Sequence, residues 1–528
     1  MPRNSPNIVY TDRHSAPRVM FAGDNLVEVD LPVGTRCIYA PPPLDPVPDV
    51  DAAIRYAINH PHGCEPLYAM LRPGMKVVIA IDDISLPLPQ MKTPDVREKM
   101  LHIVLDMLAD HGVEDIEMII ALAYHRRMTD DEVKRMVGNK IFNKYWPEKL
   151  YNHDAEDADA MVTLGETPEG DVVTCSKAAA EADLVIYVNI NLVPMDGGHK
   201  SVGVGLCGGK TLKAHHNPKV MNETKSYMEP EESKMHSVVD RIGRYLNERI
   251  KIFHIETTLN NRMFDKNLDF LARNPDEWSA KDKLAARGLL FTLKRTPQAL
   301  RQKIFSAVPS PYGVTGVYAG ETEACHLETV KKCYEQYVVP VEGQCDIQIT
   351  GIPYISPYNV NAFLNPLLVQ VMAQGYLHNL HKGQPLLKKG GTLIITHPCS
   401  DKFDHAQHAP YVEFVHKLLP ETRDGYELHK RFEKEFSRNP AYVEMYRYGN
   451  AYHPNHAFYM WYWGEVGRRW QGRCIVVGAD NEYIPGLLGY ETAPNMTEAI
   501  RMAKETAPAD PDITCINFTP IMMTEVSA

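Results

Sequence analysis

Short apolar runs rich in branched residues alternate along the chain with longer stretches of helical periodicity. Lys76–Ile81 reads as a strand and Thr93–His111 as a helix, followed by the strand Ile116–Ala121 and a helix from Asp130 to Val137. Ser176–Ala182 reads as helical and Leu184–Ile190 as a buried strand. A second series runs through Ile347–Ile349, the apolar helical stretch Val360–His378, Thr392–Thr396, a helical region around Tyr411–Leu419 and Cys474–Gly478. Strand–helix alternation of this kind predicts an α/β fold with largely parallel sheets, here in two α/β domains with a cleft between them. The expected N-terminal domain spans 1–335 and carries a charged helical insertion at about 263–311. The C-terminal domain spans 340–510 with an aromatic, histidine-rich insertion at about 400–460, and 511–528 is expected to return to the N-terminal domain.

Length and composition fit this division. At 528 residues the chain exceeds one ordinary core. A net charge of −11 and the lack of a long basic run argue against a nucleic-acid partner. No apolar stretch approaches the ~20 residues a membrane helix needs, and the first residues lack the apolar core of a signal peptide, so a cytoplasmic protein is expected. The ten cysteines form no C-x-x-C pair, which predicts free thiols in place of a zinc ribbon or redox dithiol.

The stretch Pro194–Lys219 concentrates six glycines, three histidines and four lysines after the strand Leu184–Ile190. It reads as a glycine loop at a strand tip, where backbone N–H groups could approach an anionic ligand and His199, Lys210, His215 and His216 could supply a base, an amine and nitrogen donors. Its spacing matches neither a Walker loop nor a dinucleotide fingerprint. Two further strand tips carry chemistry. Asp82-Asp83-Ile84-Ser85 sets two carboxylates and a hydroxyl after the first strand. His125-Arg126-Arg127 follows the second, where Thr129 and Glu132 form a capping box for the next helix.

Taken in order, D-D-x-S-x-P-x-P, A-x-H-R-x-M-T-x-x-E, N-H-D (152–154), L-G-E-T-P-x-G (164–170), A-D-L-V-I and G-x-x-C-G-G-K resemble the nickel-dependent lactate racemase family. The similarity continues through V-Y-A-G-E-T-E-A-C-H (317–326), G-G-T-L-I-I (390–395), N-H-A-F (455–458) and L-G-Y-E-T-A-P-N-M-T-E-A-I (488–500). The resemblance implies two α/β domains around a cleft, a nickel pincer nucleotide derived from nicotinic acid mononucleotide, and cofactor-synthesis proteins as partners. It also implies a small-molecule substrate whose secondary alcohol carbon is inverted by reversible hydride transfer while histidines shuttle protons.

On that resemblance Asp83, His125 and His199 are the expected catalytic residues. Ser85, Arg126, Gly208, Gly209 and Lys210 are expected to bind the cofactor, Lys210 as the tethering lysine in G-G-K where the family has G-G-x-K. His216 is expected to ligate nickel, with His215 and His236 the other candidates. Two positions depart from the family. Leu86 stands where the family has arginine, and Ala362 and Asn365 stand at its glutamine and lysine. Arginine and lysine grip a carboxylate by charge-assisted hydrogen bonds. Their loss points away from lactate, towards another 2-hydroxy acid gripped by Arg126 or Arg127, or towards a polyol-like or bulkier alcohol beside the aromatic run 452–463. The rival readings are net redox or elimination with the same cofactor, and a homologue that binds the cofactor without catalysis.

Overall fold

The computed structural model describes residues 6–527. The first strand needed here, β1 (Arg36–Tyr39), belongs to the second of two large sheets. The first sheet begins with β2 (Lys76–Asp82), α1 (Val96–Asp110), β3 (Asp115–Ala121), α2 (Asp130–Tyr145) and β4 (Leu150–Asn152). After a hairpin the chain re-enters it as β5 (Leu184–Asn191), followed by α3 (His199–Gly205), α4 (Gly209–His215) and α5 (Lys234–Asn247). The sheet closes with β6 (Ile252–Leu259) and β7 (Val314–Gly320), and α6 (Thr322–Tyr337) leads away. The strand order is β7-β6-β5-β2-β3-β4, parallel throughout except for β7. All eight residues of β5 are buried, as expected for a central strand covered on both faces.

The second sheet is built on β8 (Cys345–Pro353), β9 (Leu387–Thr396), β10 (Arg473–Val477), β11 (Glu491–Ala493) and β12 (Ile513–Asn517). Its order β1-β12-β8-β9-β10-β11 is parallel, and three more N-terminal strands bring it to nine. Two domain boundaries therefore differ from the sequence expectation. Residues 8–39 pair with the second sheet, and β12 lies inside that sheet between β1 and β8 in place of returning to the first unit. Alternation within a strand reveals its faces but not its sheet, so neither pairing was legible locally.

Two stretches, 263–311 and 400–460, carry helices between strands of the sheets. Helices Ala280–Arg295 and Gln298–Ala307 lie within the first, where Trp278, Ala286 and Leu293 pack on Phe21 and Leu26 of the N-terminal strands. The second is helical and reaches across to the first unit. Tyr446 Oη donates to Ala123 O at 2.9 Å, and Asn450 Nδ2 donates to Arg127 O at 3.1 Å. Among the described residues no helix is long and apolar enough to cross a membrane.

Candidate active site

The carboxyl ends of parallel strands from both sheets face one another across a cavity of about 190 Å³. The segments leaving β2 (Ser85, Leu86, Leu88) and β5 (Leu192–Asp196) wall one side. Those leaving β8 (Ile355–Tyr358) and β12 (Phe518–Ile521) wall the other. Ligands of open α/β sheets bind outside the carboxyl ends of strands, and here two such edges share one space.

Asp83 follows β2 and is buried, 6% exposed. Its Oδ1 accepts from Ser85 N at 3.0 Å and Ser85 Oγ at 2.5 Å, and its Oδ2 lies 2.8 Å from His125 Nδ1. Burial opposes ionisation, but the neighbouring imidazole and the Ser85 donors hold the Asp83 carboxyl below the usual carboxylate range. An ionised Asp83 accepts the Nδ1 proton of His125, which fixes the tautomer and leaves Nε2 as the basic nitrogen. Arg97, paired with Asp95, donates to the carbonyls of Asp82 and Asp83 and sets the turn. Asp82 itself points into the sheet, accepting from Ile190 N and Asn189 Nδ2, and burial pushes its carboxyl up to about 7.

The glycine stretch is mostly helical. Only Gly197 and Gly198 adopt the left-handed backbone, at φ 85° and 57°. The Gly198 N–H donates to Glu256 Oε1 at 2.8 Å, so a buried carboxylate of the protein already occupies the anion position expected for a ligand. Glu256 is held below its usual range, against burial, by His326, His254 and that N–H. Gly205 serves packing, since a Cβ there would sit 2.8 Å from both Ala121 Cβ and Tyr187 Oη.

Helical phase then sorts the side chains of α3. Lys200 and Val204, four apart, line the cavity. His199 and Gly203 face α5 instead, His199 packed on Gly243 with its Nε2 2.9 Å from Glu323 Oε1. His199 is thus not brought to His125. Lys210, at the start of α4, is exposed. Gly208 and Gly209 pack under Thr174 and Tyr124, where a Cβ on Gly209 would lie 1.9 Å from Tyr124 Oη. Arg126 is buried in a two-pronged ion pair with Glu132 at 2.7 and 2.8 Å, and Asn361 takes the same carboxylate. Arg127 opens onto a separate surface hollow with Asp154 and Arg447. Ser85 and His216 do line the cavity with His125.

His216 Nδ1 lies 2.5 Å from His215 Nδ1. Burial, reinforced by neighbouring cations, drives His216 well below the ordinary imidazole range, and burial takes His215 down to about 3. Both rings are neutral nitrogen donors near pH 7. His236 is buried with both ring nitrogens unpartnered. Leu86 lines the cavity at the departure noted above, whereas Ala362 and Asn365 do not; Asn365 caps the next helix.

Sequence reading missed two residues. Lys200 sits beside His199, and only the helical turn distinguishes their directions. His456, within N-H-A-F, brings its ring centroid to 5.4 Å from that of His125 and places Nδ1 2.5 Å from Tyr411 Oη.

Two α/β units meeting at the carboxyl edges of their parallel strands define the class of protein. Residues 23–229 match the lactate racemase N-terminal domain. The lactate racemase of Lactiplantibacillus plantarum is 28% identical over 178 residues, 33% of this chain and 40% of that protein. That of Thermoanaerobacterium thermosaccharolyticum is 24% identical over 168 residues, 31% of this chain and 37% of that protein. The aligned part thus spans about two fifths of the curated relatives' length. Among solved structures, the T. thermosaccharolyticum lactate racemase apoprotein superposes with a TM-score of 0.62 at 17% identity, covering 96% of this chain and 100% of that one. A Thermotoga maritima protein gives 0.52 at 13% identity over 92% and 100%. The fold is shared with the lactate racemase apoprotein, and residues 23–229 resemble the lactate racemase N-terminal domain.

Proposed function

We propose that the protein is a racemase or epimerase acting at a secondary alcohol carbon, on a 2-hydroxy acid or polyol-like substrate other than lactate, with a nickel pincer nucleotide. The observation that carries this reading is the Asp83–His125 pair opening into a cavity walled by both units. The match of residues 23–229 to the lactate racemase N-terminal domain supports it.

The donor chemistry suits the cofactor. His216 faces the cavity as a neutral imidazole, and its hydrogen bond uses Nδ1, leaving Nε2 for a metal. The unpartnered nitrogens of His215 and His236 are further donors of the kind nickel accepts. The volume is below the roughly 300–1,000 Å³ usual for cofactor and drug-sized pockets, so housing a nucleotide requires the two units to part. In this reading His216 ligates the metal and Ser85 lies alongside the group. When bound, the cofactor supplies a hydride acceptor.

The protein's own residues do the rest. His125 Nε2, oriented through Nδ1 on Asp83, takes the proton of the substrate hydroxyl and returns it. Ser85 fixes Asp83 by two hydrogen bonds, which keeps that tautomer in place. Apolar walls from Leu86, Leu192, Met372 and Trp463 exclude water from the alcohol and its base.

The test is protein produced together with cofactor-synthesis proteins, assayed for nickel and by chiral chromatography on a panel of 2-hydroxy acids. About one nickel per chain and interconversion of a non-lactate acid are expected, with lactate about 10²–10⁴-fold slower because the cation at Leu86 is missing. Protein that holds no nickel and inverts no member of the panel would remove the proposal.

A further inference from the structure

Away from the cleft, one segment carries charge and apolar surface that the racemase reading does not use. Residues 280–308, within the stretch 263–311, hold seven lysines and arginines and one aspartate, a net +6 in a chain whose total is −11. The rest of the molecule therefore carries −17. Among the described residues only Arg301 of these cations has an ion-pair partner, Asp24, and the single aspartate, Asp282, is taken by Arg273. Lys281, Lys283, Arg287, Lys294, Arg295 and Lys303 are all exposed.

Helical phase gives the segment two faces. In the helix Ala280–Arg295, Ala286 and Leu293 are buried in the cluster with Phe21 and Leu26. Leu284 and Phe291 stand two residues before them, about 200° round the helix, and face away. They are 71% and 59% exposed. In the helix Gln298–Ala307, Phe305 stacks on Tyr354 at 4.6 Å between ring centroids. Leu300 and Ile304, continued by Val308, are spaced four apart on the outer side and are 46–50% exposed. Five of the seven exposed large hydrophobics other than tyrosine, among the described residues, thus lie on this helix pair. Single exposed apolar residues are ordinary, whereas a cluster of them marks an interaction surface.

The cations border the apolar line. By helical phase Lys281 falls on one side of Leu284 and Phe291, and Lys283, Arg287 and Lys294 fall on the other. The Arg295 guanidinium lies over the Phe291 ring at 3.5 Å. A second copy meeting this face through a two-fold axis would set each row of cations against its like, which opposes the contact. An anionic lipid surface answers both features, since apolar tips enter the acyl boundary while long cationic stems reach back to the phosphates. We propose that the helix pair of residues 280–308 docks the protein on anionic phospholipid surfaces as a peripheral, in-plane anchor. The inner face stays packed on the second unit, so docking needs no rearrangement of the enzyme.

The test is co-sedimentation of the full chain, at low salt, with vesicles of phosphatidylcholine and with vesicles of equimolar phosphatidylcholine and phosphatidylglycerol. Binding to the anionic vesicles is expected to be about tenfold or more tighter than to the neutral ones and to weaken as salt is raised. A variant with Lys283→Glu, Lys294→Glu and Lys303→Glu, and another with Phe291→Ser and Ile304→Ser, are each expected to weaken it by about tenfold or more. All five positions are exposed, so both variants keep the wild-type urea midpoint. In Phe291→Trp the added indole emission shifts to the blue on anionic vesicles, a readout that needs no loss of binding. Equal binding to both kinds of vesicle, binding to neither, or undiminished binding in either variant overturns the assignment. So does a dimer that depends on Phe291 in sedimentation equilibrium, or binding of polyglutamate with no emission shift on vesicles, which would give the face to a second copy or to an acidic protein.

Discussion

His125 and His199 follow strands that flank β2 on opposite sides, and both leave the carboxyl edge of the same sheet. Each has a carboxylate partner at hydrogen-bond distance. Only His125 opens into the cavity, because it lies in an extended turn whose direction is set by Asp83. His199 opens a helix whose phase turns it into the contact with α5. One face of α3 lines the cavity and the next face packs. Equal chemistry in sequence therefore became unequal chemistry in space.

The sharpest way to break the contrast is to remove each imidazole. His125→Ala is expected to lower inversion by about 10²–10⁴-fold with nickel content unchanged, since proton transfer and metal retention rest on different residues. Asp83→Asn keeps the shape but not the charge that selects the Nδ1–H tautomer, and a loss of about 10²-fold or more is expected, read as kcat. Full activity in either variant would move the site away from this loop. His199→Ala should leave kcat within a few-fold and cost about 1–3 kcal/mol of stability in urea unfolding, from a buried hydrogen bond and the space left on Gly243. Lys210→Ala should be silent within ~0.5 kcal/mol and leave cofactor content intact.

Acid stability sharpens the same picture. His153, His215, His236 and His254 in the first unit, and His378, His381, His397 and His408 in the second, are pushed by burial down to about 3 or 4. A native state that binds fewer protons than the unfolded chain loses stability as pH falls, here between about 6.5 and 4. Asp82 acts oppositely. Its folded value of about 7 lies above the unfolded 3.8, so its contribution is lost as pH rises through that interval. The expected sum is a drop of roughly several kcal/mol from pH 7 to 4.5 in urea midpoints, steeper in Asp82→Asn. A flat profile would contradict burial of these imidazoles in neutral form.

Much of the molecule was legible. β2, β3, β5, β9 and β10 and the Thr129–Glu132 capping box stand where periodicity and turn chemistry put them. The Asp83–Ser85–His125 constellation was legible because short motifs at strand tips fix their own geometry. Sheet membership of β1 and β12 was not, because it depends on pairings hundreds of residues apart. The partners of Arg126, Gly198 and His199, 6, 58 and 124 residues away, were hidden because a tertiary contact and not the local pattern selects them. Glu132, Glu256 and Glu323 are remote or unremarkable in sequence, and each claims a group that composition alone assigns to a ligand. Lys200 was hidden by reading the glycine stretch as a loop when its glycines serve helix packing.

The central claim is that His125 handles the hydroxyl proton while the carbon-bound hydrogen moves as hydride. Deuterium NMR of the inverted product formed in D₂O tests it most directly. The predicted product carries no deuterium at the inverted carbon, and its formation is lost in His125→Ala. Extensive deuterium at that carbon in the wild-type product would mean proton abstraction from carbon and would contradict the account.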